Sequence, residues 1–222
     1  MGFGIAIRVR GEYALFTRPE MKVERMSYDV ITPSAARGII EAVYWKPAIR
    51  WVIDRIHVLN EIRFTNIRRN EVSEKISNFA VVSRMNGSED PLYLDSNSRL
   101  IRQQRAAMIL KDVDYVIEAH FELQPGRGKE EAMAAKHYNM AVRRFQKGQY
   151  FQPPCLGTRE FGARVDLIED GEIPTSKLSG VRELGWMLYD MDFSNPDDIV
   201  PQFFNAVMID GVIDLTQLTI AG

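Results

Sequence analysis

Residues 113–123, VDYVIEAHFEL, alternate with a period of two. Val113, Tyr115, Ile117, Ala119, Phe121 and Leu123 share one face, while Asp114, Glu118, His120 and Glu122 lie on the other. Successive side chains of a strand point to opposite faces, so this segment demands a sheet with one apolar and one polar face. Residues 3–9, FGIAIRV, repeat the pattern, with Phe3, Ile5, Ile7 and Val9 on one side. Residues 48–62, AIRWVIDRIHVLNEI, form a third β-rich stretch, in which Trp51, Ile53, Arg55 and His57 alternate with Val52, Asp54, Ile56 and Val58.

Helical signals separate these strands. In TPSAARGIIEAVYWKP, residues 32–47, Thr32 or Ser34 can cap a helix, Pro33 suits its first turn and Pro47 stops it. In KEEAMAAKHYNMAVRRFQKG, residues 129–148, acids open the helix, bases close it and Gly148 ends it. PPCLGTREFGARVDLIE, residues 153–169, reads as a glycine-punctuated strand. The order β-α-β-(insertion)-β-α-β predicts an α+β, ferredoxin-like (RRM-like) βαββαβ domain over residues 1–166. Two helices then cover one face of an antiparallel sheet and leave the other free. The insertion, about residues 63–110, lacks a strong period, is rich in Arg, Asn and Ser, and reads as partly hairpin and partly mobile. Residues 167–222 suggest a small C-terminal antiparallel β-sheet domain, with Asp210–Gly211 as a hairpin turn.

Charge is uneven along the chain. Residues 1–160 hold 25 Lys and Arg against 19 Asp and Glu, whereas residues 161–222 hold 3 against 11. A basic body joined to an acidic end suits a phosphate-bearing partner. No apolar run approaches the ~20 residues of a membrane span, and the charged start MGFGIAIRVRG is unlike a signal peptide. The single Cys155 excludes an internal disulfide and a cysteine-based zinc site. These features predict a cytoplasmic protein without membrane contact. His57 and His120 lack metal-ligand spacing, and no P-loop, GxSxG or HExxH is present. Neither a metal nor a cofactor is expected.

On a helical wheel Met133, His137, Met140, Ala141 and Arg144 share one arc, with Phe145 at its edge and Lys136 100° from His137. The wheel leaves His137 open between a hydrogen-bonded core histidine and a titratable group. Tyr44, at the end of the first helix, is likewise open between a packing residue and a reactive phenol. Both helices lie on one sheet face in the expected layout, so Tyr44 and Lys136–His137 could approach each other. Such a trio suits RNA cleavage without metal. A histidine moves protons near neutral pH, a lysine offsets charge on the phosphorane, and a tyrosine orients the 2′-hydroxyl. Arg68, Arg69, Arg102 and Arg105 in the insertion, and Arg143, Arg144 and Lys147 in the second helix, are candidate RNA-binding residues.

The stretches GEYALFTRPEMKVERMSYDVITPSAARGIIEAVYWKPAIRWVIDRIHVL, RRNEV, RQQRAA, LKDVDYVIEAHFEL, KHY and CLGTREF closely resemble the CRISPR-associated Cas-five proteins of type I-C systems, the d subtype of the RAMP superfamily. The match runs over nearly the whole chain. The resemblance implies a RAMP ferredoxin-like fold and a metal-independent endoribonuclease that cuts the repeat hairpin of precursor CRISPR RNA. It implies that the protein stays on the crRNA 5′ handle as a subunit of type I-C Cascade, with other Cascade subunits as partners; contact with DNA is left open. The family's catalytic residues fall on Tyr44, Lys136 and His137. The superfamily's glycine-rich loop is thin here, with only Gly157 and Gly162 in GTREFG. Two further readings stand beside the nuclease: a non-catalytic subunit that binds the 5′ handle, and a generic RRM-like RNA binder. The acids Asp114, Glu118 and Glu122 on the free sheet face disfavour base stacking there.

Overall fold

The computed structural model describes residues 3–21, 23–124, 134–169, 171–195 and 197–221. In chain order these form β1 (Gly4–Ala14), β2 (Arg25–Met26), α1 (Pro33–Val43), β3 (Ile49–Val58), β4 (Arg63–Val72), α2 (Asn78–Met85), β5 (Arg102–Leu123), α3 (Ala134–Gln146), β6 (Arg164–Leu167), β7 (Val181–Asp192), β8 (Val200–Ile209) and β9 (Val212–Asp214). The architecture is mixed: among the described residues α1 and α3 pack on a mostly antiparallel sheet, and α2 stands apart in a connection. No helix among the described residues is long and apolar enough to cross a membrane.

The alternating segment 113–123 is the second half of β5, the strand that organises the molecule. Its partners there are β1 on one side and β3 on the other, both antiparallel. The sheet path runs β6-β1-β5-β3-β9-β8-β7. β5 is twice as long as its sequence pattern suggests. Its first half, where the arginines and glutamines obscure any apolar period, pairs with β4 from Arg63↔Lys111 to Val72↔Arg102. Asp112 sits at φ 54° between the two halves, a left-handed conformation that Asp tolerates better than most residues. The insertion is therefore a long hairpin whose connection carries the short helix α2.

Tyr115, Ile117, Ala119 and Phe121 of β5 pack with Ile5, Ile7 and Val9 of β1 and with Ile39, Ile40, Ala141 and Phe145 of α1 and α3. The opposite face is covered by ion pairs. Arg8 grips Asp114 through Nε–Oδ1 and Nη2–Oδ2 contacts of 3.0 and 2.6 Å. His57 Nε2 meets Glu118 Oε1 at 2.6 Å, and His120 Nδ1 meets Asp54 Oδ1 at 2.8 Å. Asp54, Asp114 and Glu118 on the polar face are thus already engaged.

Two sequence expectations are corrected. In β3 the pairing register shifts between Ile53 and Arg55. A bulge flips the alternation that follows it, so Ile56 and Val58 join the buried side with Trp51 and Ile53. Arg55 and His57 move to the charged face rather than sharing the Trp51 side. The second correction concerns the region 153–169. Strand structure is confined to β6, and residues 154–163 fold back as a loop on Leu15, closed by Leu15 N→Leu156 O and Leu156 N→Phe161 O bonds. At the C-terminus β9 pairs with β3 from Arg55↔Asp214 to His57↔Val212, so the last three strands continue the same hydrogen-bonded path.

Candidate active site

Thr32 caps α1 by accepting from Ala35 N at 3.3 Å, and Pro33 occupies the first turn, where its missing N–H costs nothing. Pro33, Ala36, Ile39, Ile40, Ala42 and Val43 form the buried stripe. At the other end Tyr44 is the C-cap, in extended conformation, with its N–H on Ile40 O at 2.9 Å. The last carbonyls of a helix have no partner within it. Here each of three successive carbonyls receives a tertiary donor. Phe151 N donates to Ala42 O at 2.8 Å, Arg144 Nη1 to Val43 O at 2.9 Å, and Trp51 Nε1 to Tyr44 O at 2.9 Å. The backbone that carries Tyr44 is therefore held by the segment after α3, by α3 itself and by β3.

α3 buries His137, Ala141 and Phe145, spaced four residues apart on one stripe. That stripe faces Phe121 of β5 and the end of α1. The Tyr44 hydroxyl lies 2.8 Å from His137 Nδ1, although the two residues are 93 apart in sequence. Met140 Sδ is 3.8 Å from the same hydroxyl, and the Phe121 ring stands edge-on to the imidazole at 6.3 Å. Both partners are buried, Tyr44 at 1% and His137 at 3% exposure. Lys136 points to solvent on the neighbouring face. Met133 and the acids expected in the first turn lie outside the described residues.

The candidate RNA-binding residues separate into groups. Arg143 and Lys147 are exposed and make no ion pair among the described residues. Arg144 is turned inward: besides its bond to Val43 O, its guanidinium lies 5.6 Å from the Tyr44 ring centroid. In the hairpin Arg68 and Arg102 are exposed. Arg69 and Arg105 are directly opposed across the strands; Arg69 bonds Glu160, and Arg105 lies 3.6 Å from Glu71. One turn before Tyr44, burial pushes the Glu41 carboxyl above its ordinary range despite Arg37 nearby. Sequence reasoning missed the carboxylate partners of His57 and His120. It also missed two exposed aromatics at the C-terminal end of α1, Trp45 and Phe151. The only signal for the latter was their position next to Tyr44 and Lys147–Gly148.

A phenol and an imidazole in hydrogen-bond contact can pass a proton or share one, and an adjacent ammonium can steady a phosphate oxygen. Among the described residues no three His, Cys, Asp or Glu side chains gather as metal ligands.

Fold and site together define a mixed α/β protein, largely one antiparallel sheet, with a phenol–imidazole pair joined between two sheet-packed helices. The chain belongs to the CRISPR-associated Cas5 family, subtype d, whose model matches residues 4–216. It is 53% identical over 216 residues to the CRISPR pre-crRNA endoribonuclease Cas5d of Mannheimia succiniciproducens, covering 95% of this chain and 94% of that protein. It is 41% identical over 189 residues to the protein of the same description from Thermus thermophilus, covering 85% and 73%. A solved CRISPR-associated protein superposes with a TM-score of 0.70 at 26% identity, over 99% of this chain and 96% of that one.

Proposed function

We propose that the chain is a metal-independent endoribonuclease that cuts the repeat hairpin of precursor CRISPR RNA and stays on the 5′ handle of the product within type I-C Cascade. The observation that carries this reading is the 2.8 Å contact between the Tyr44 hydroxyl and His137 Nδ1. The relatives at 53% and 41% identity, both described as pre-crRNA endoribonucleases, support it. In this mechanism the ribose 2′-hydroxyl loses its proton and attacks the adjacent phosphorus, while the 5′-oxygen of the next nucleotide leaves and takes up a proton. The products are a 2′,3′-cyclic phosphate and a 5′-hydroxyl. His137 is the general acid or base, Tyr44 orients or activates the 2′-hydroxyl through its bond to His137, and Lys136 offsets charge on the phosphorane. Arg68, Arg102, Arg143 and Lys147 hold the RNA backbone, so binding weakens with salt. The strand order β6-β1-β5-β3, with α1 after β1 and α3 after β5, supports a ferredoxin-like core.

The burial of Tyr44 and His137 favours a second reading, a subunit that binds the 5′ handle without chemistry. For the nuclease, bound RNA must open a path to the pair. One assay separates the two: repeat RNA incubated with protein in EDTA, wild type against His137→Ala. The nuclease predicts cutting by the wild type, a loss of about 10²–10⁴ in rate for the variant, and no cutting of RNA with a 2′-deoxy residue at the scissile position. Binding without cutting by either protein establishes the second reading.

A further inference from the structure

Trp45 is 54% exposed and Phe151 is 86% exposed. Open aromatic faces offer flat apolar surface on which a ligand ring can stack. Both rings leave the chain at one place, the C-terminal end of α1. Trp45 follows Tyr44 directly. Phe151 is anchored there by its own N–H, which donates to Ala42 O at 2.8 Å, and Gln152 N reaches the same carbonyl at 3.3 Å. The backbones that carry the two rings are thus fixed while the rings themselves face solvent. Tyr44, whose hydroxyl contacts His137, directly precedes Trp45 in the chain, and Ala42, which accepts from Phe151 N, lies two residues before Tyr44. Arg143 of α3 and Lys147 in the turn after it are exposed cations close in sequence to Phe151, and Lys46 follows Trp45.

We propose that Trp45 and Phe151 form a stacking site for unpaired RNA bases next to the scissile phosphate. The proposal rests on the nuclease reading for the place of the cut, but not for the binding itself. An aromatic face accepts any base without needing its hydrogen-bond edges, and nearby cations hold the phosphates between stacked bases. A protein partner is the weaker fit, because Lys46, Arg143 and Lys147 lie close to the rings in sequence and charged residues are depleted at the centre of protein interfaces. The charged face of the sheet suits this function poorly, since Asp114, Glu118, Asp54 and Glu122 line it with carboxylates that repel phosphates. The site would select substrates by the single-stranded character of the nucleotides at the cut rather than by their identity.

The test uses full-length protein and repeat RNA with a 2′-deoxy residue at the mapped cleavage position, so that binding is read without turnover. Trp45→Ala and Phe151→Ala each weaken binding by about 5- to 50-fold. Trp45→Phe and Phe151→Tyr bind within about twofold of wild type, and Phe151→Leu does not rescue. The slope of affinity against salt stays the same, since no charge is removed. Indole fluorescence is quenched on RNA binding, and the quench is lost in Trp45→Phe. Wild-type binding by both alanine variants overturns the proposal, as does full rescue by leucine. Normal RNA binding with failed assembly onto other subunits also overturns it, assigning the patch to a protein contact. His137→Ala, tested with cleavable repeat RNA beside the binding assay, separates the two claims. If that variant still cuts cleavable RNA, the active-site reading fails while the stacking result stands on its own.

Discussion

Replacing Arg144 with alanine distinguishes a side chain that grips RNA from one that builds the site. In the structure its Nη1 donates to Val43 O at 2.9 Å, and its guanidinium covers the Tyr44 ring at 5.6 Å. A hydrogen bond from a charged donor contributes about 1.5–3 kcal/mol, and its loss leaves a helix-end carbonyl without its donor. The cation over the ring adds about 0.5–1 kcal/mol. Because Arg144 is only half-buried, the lower end applies, about 2–3 kcal/mol in total. For a chain of this length that lowers the midpoint of thermal unfolding by about 5–10 °C. The activity consequence follows from position. With Arg144 gone, the Tyr44 backbone loses one of its three tertiary anchors, and a small displacement of the phenol from His137 lowers cleavage about tenfold or more. RNA affinity and its salt dependence hardly change. Differential scanning calorimetry, single-turnover cleavage and a salt titration of binding on the same preparation check all three. An unchanged melting midpoint, together with a salt slope reduced by about one, would refute the reasoning and make Arg144 a phosphate contact.

Two further outcomes follow from local geometry. Burial raises the Glu41 carboxyl pKa above its ordinary 4.5. The fold therefore favours the protonated form, and that contribution is present below the ordinary value and is lost as pH rises through the raised one. Glu41→Gln mimics the protonated group, so it melts higher than wild type at pH 8, and the gap closes toward pH 4; a gap that widens on acidification would contradict this. Gly157 lies at φ 89°, and a Cβ there would stand 1.9 Å from Leu15 O. Gly157→Ala costs about 2 kcal/mol or more, read as a lower urea midpoint. Gly162→Ala, where a Cβ meets nothing within 4 Å, leaves that midpoint unchanged.

The period-two stretches at 3–9 and 113–123 and the capped helical stretch at 32–47 were legible because each is a property of a few neighbouring residues. Thr32, Pro33 and the apolar stripe mark α1 within a few neighbouring residues. The local signal fails where pairing departs from regularity. The bulge after Ile53 sends Arg55 and His57 to the charged face, a choice made by register against β5 that residues 51–58 do not encode. The first half of β5 was hidden for a related reason: its Arg and Gln side chains are tolerated because β4 satisfies the backbone, and that partner is reached only through the hairpin.

The sequence by itself determined which residues could take part in chemistry: a tyrosine ending one helix, and a lysine–histidine pair on another. Tertiary structure decided that the tyrosine and histidine meet. A helical wheel places a side chain on a face, but a 2.8 Å contact between residues 93 apart depends on where two helices dock on a shared sheet. That docking is set by the packing of Ile39, Ile40, Ala141 and Phe145 against Phe121 and its neighbours, and by donors from three distant segments that hold the end of α1. These are long-range terms, summed over the whole core, and no window of sequence contains them.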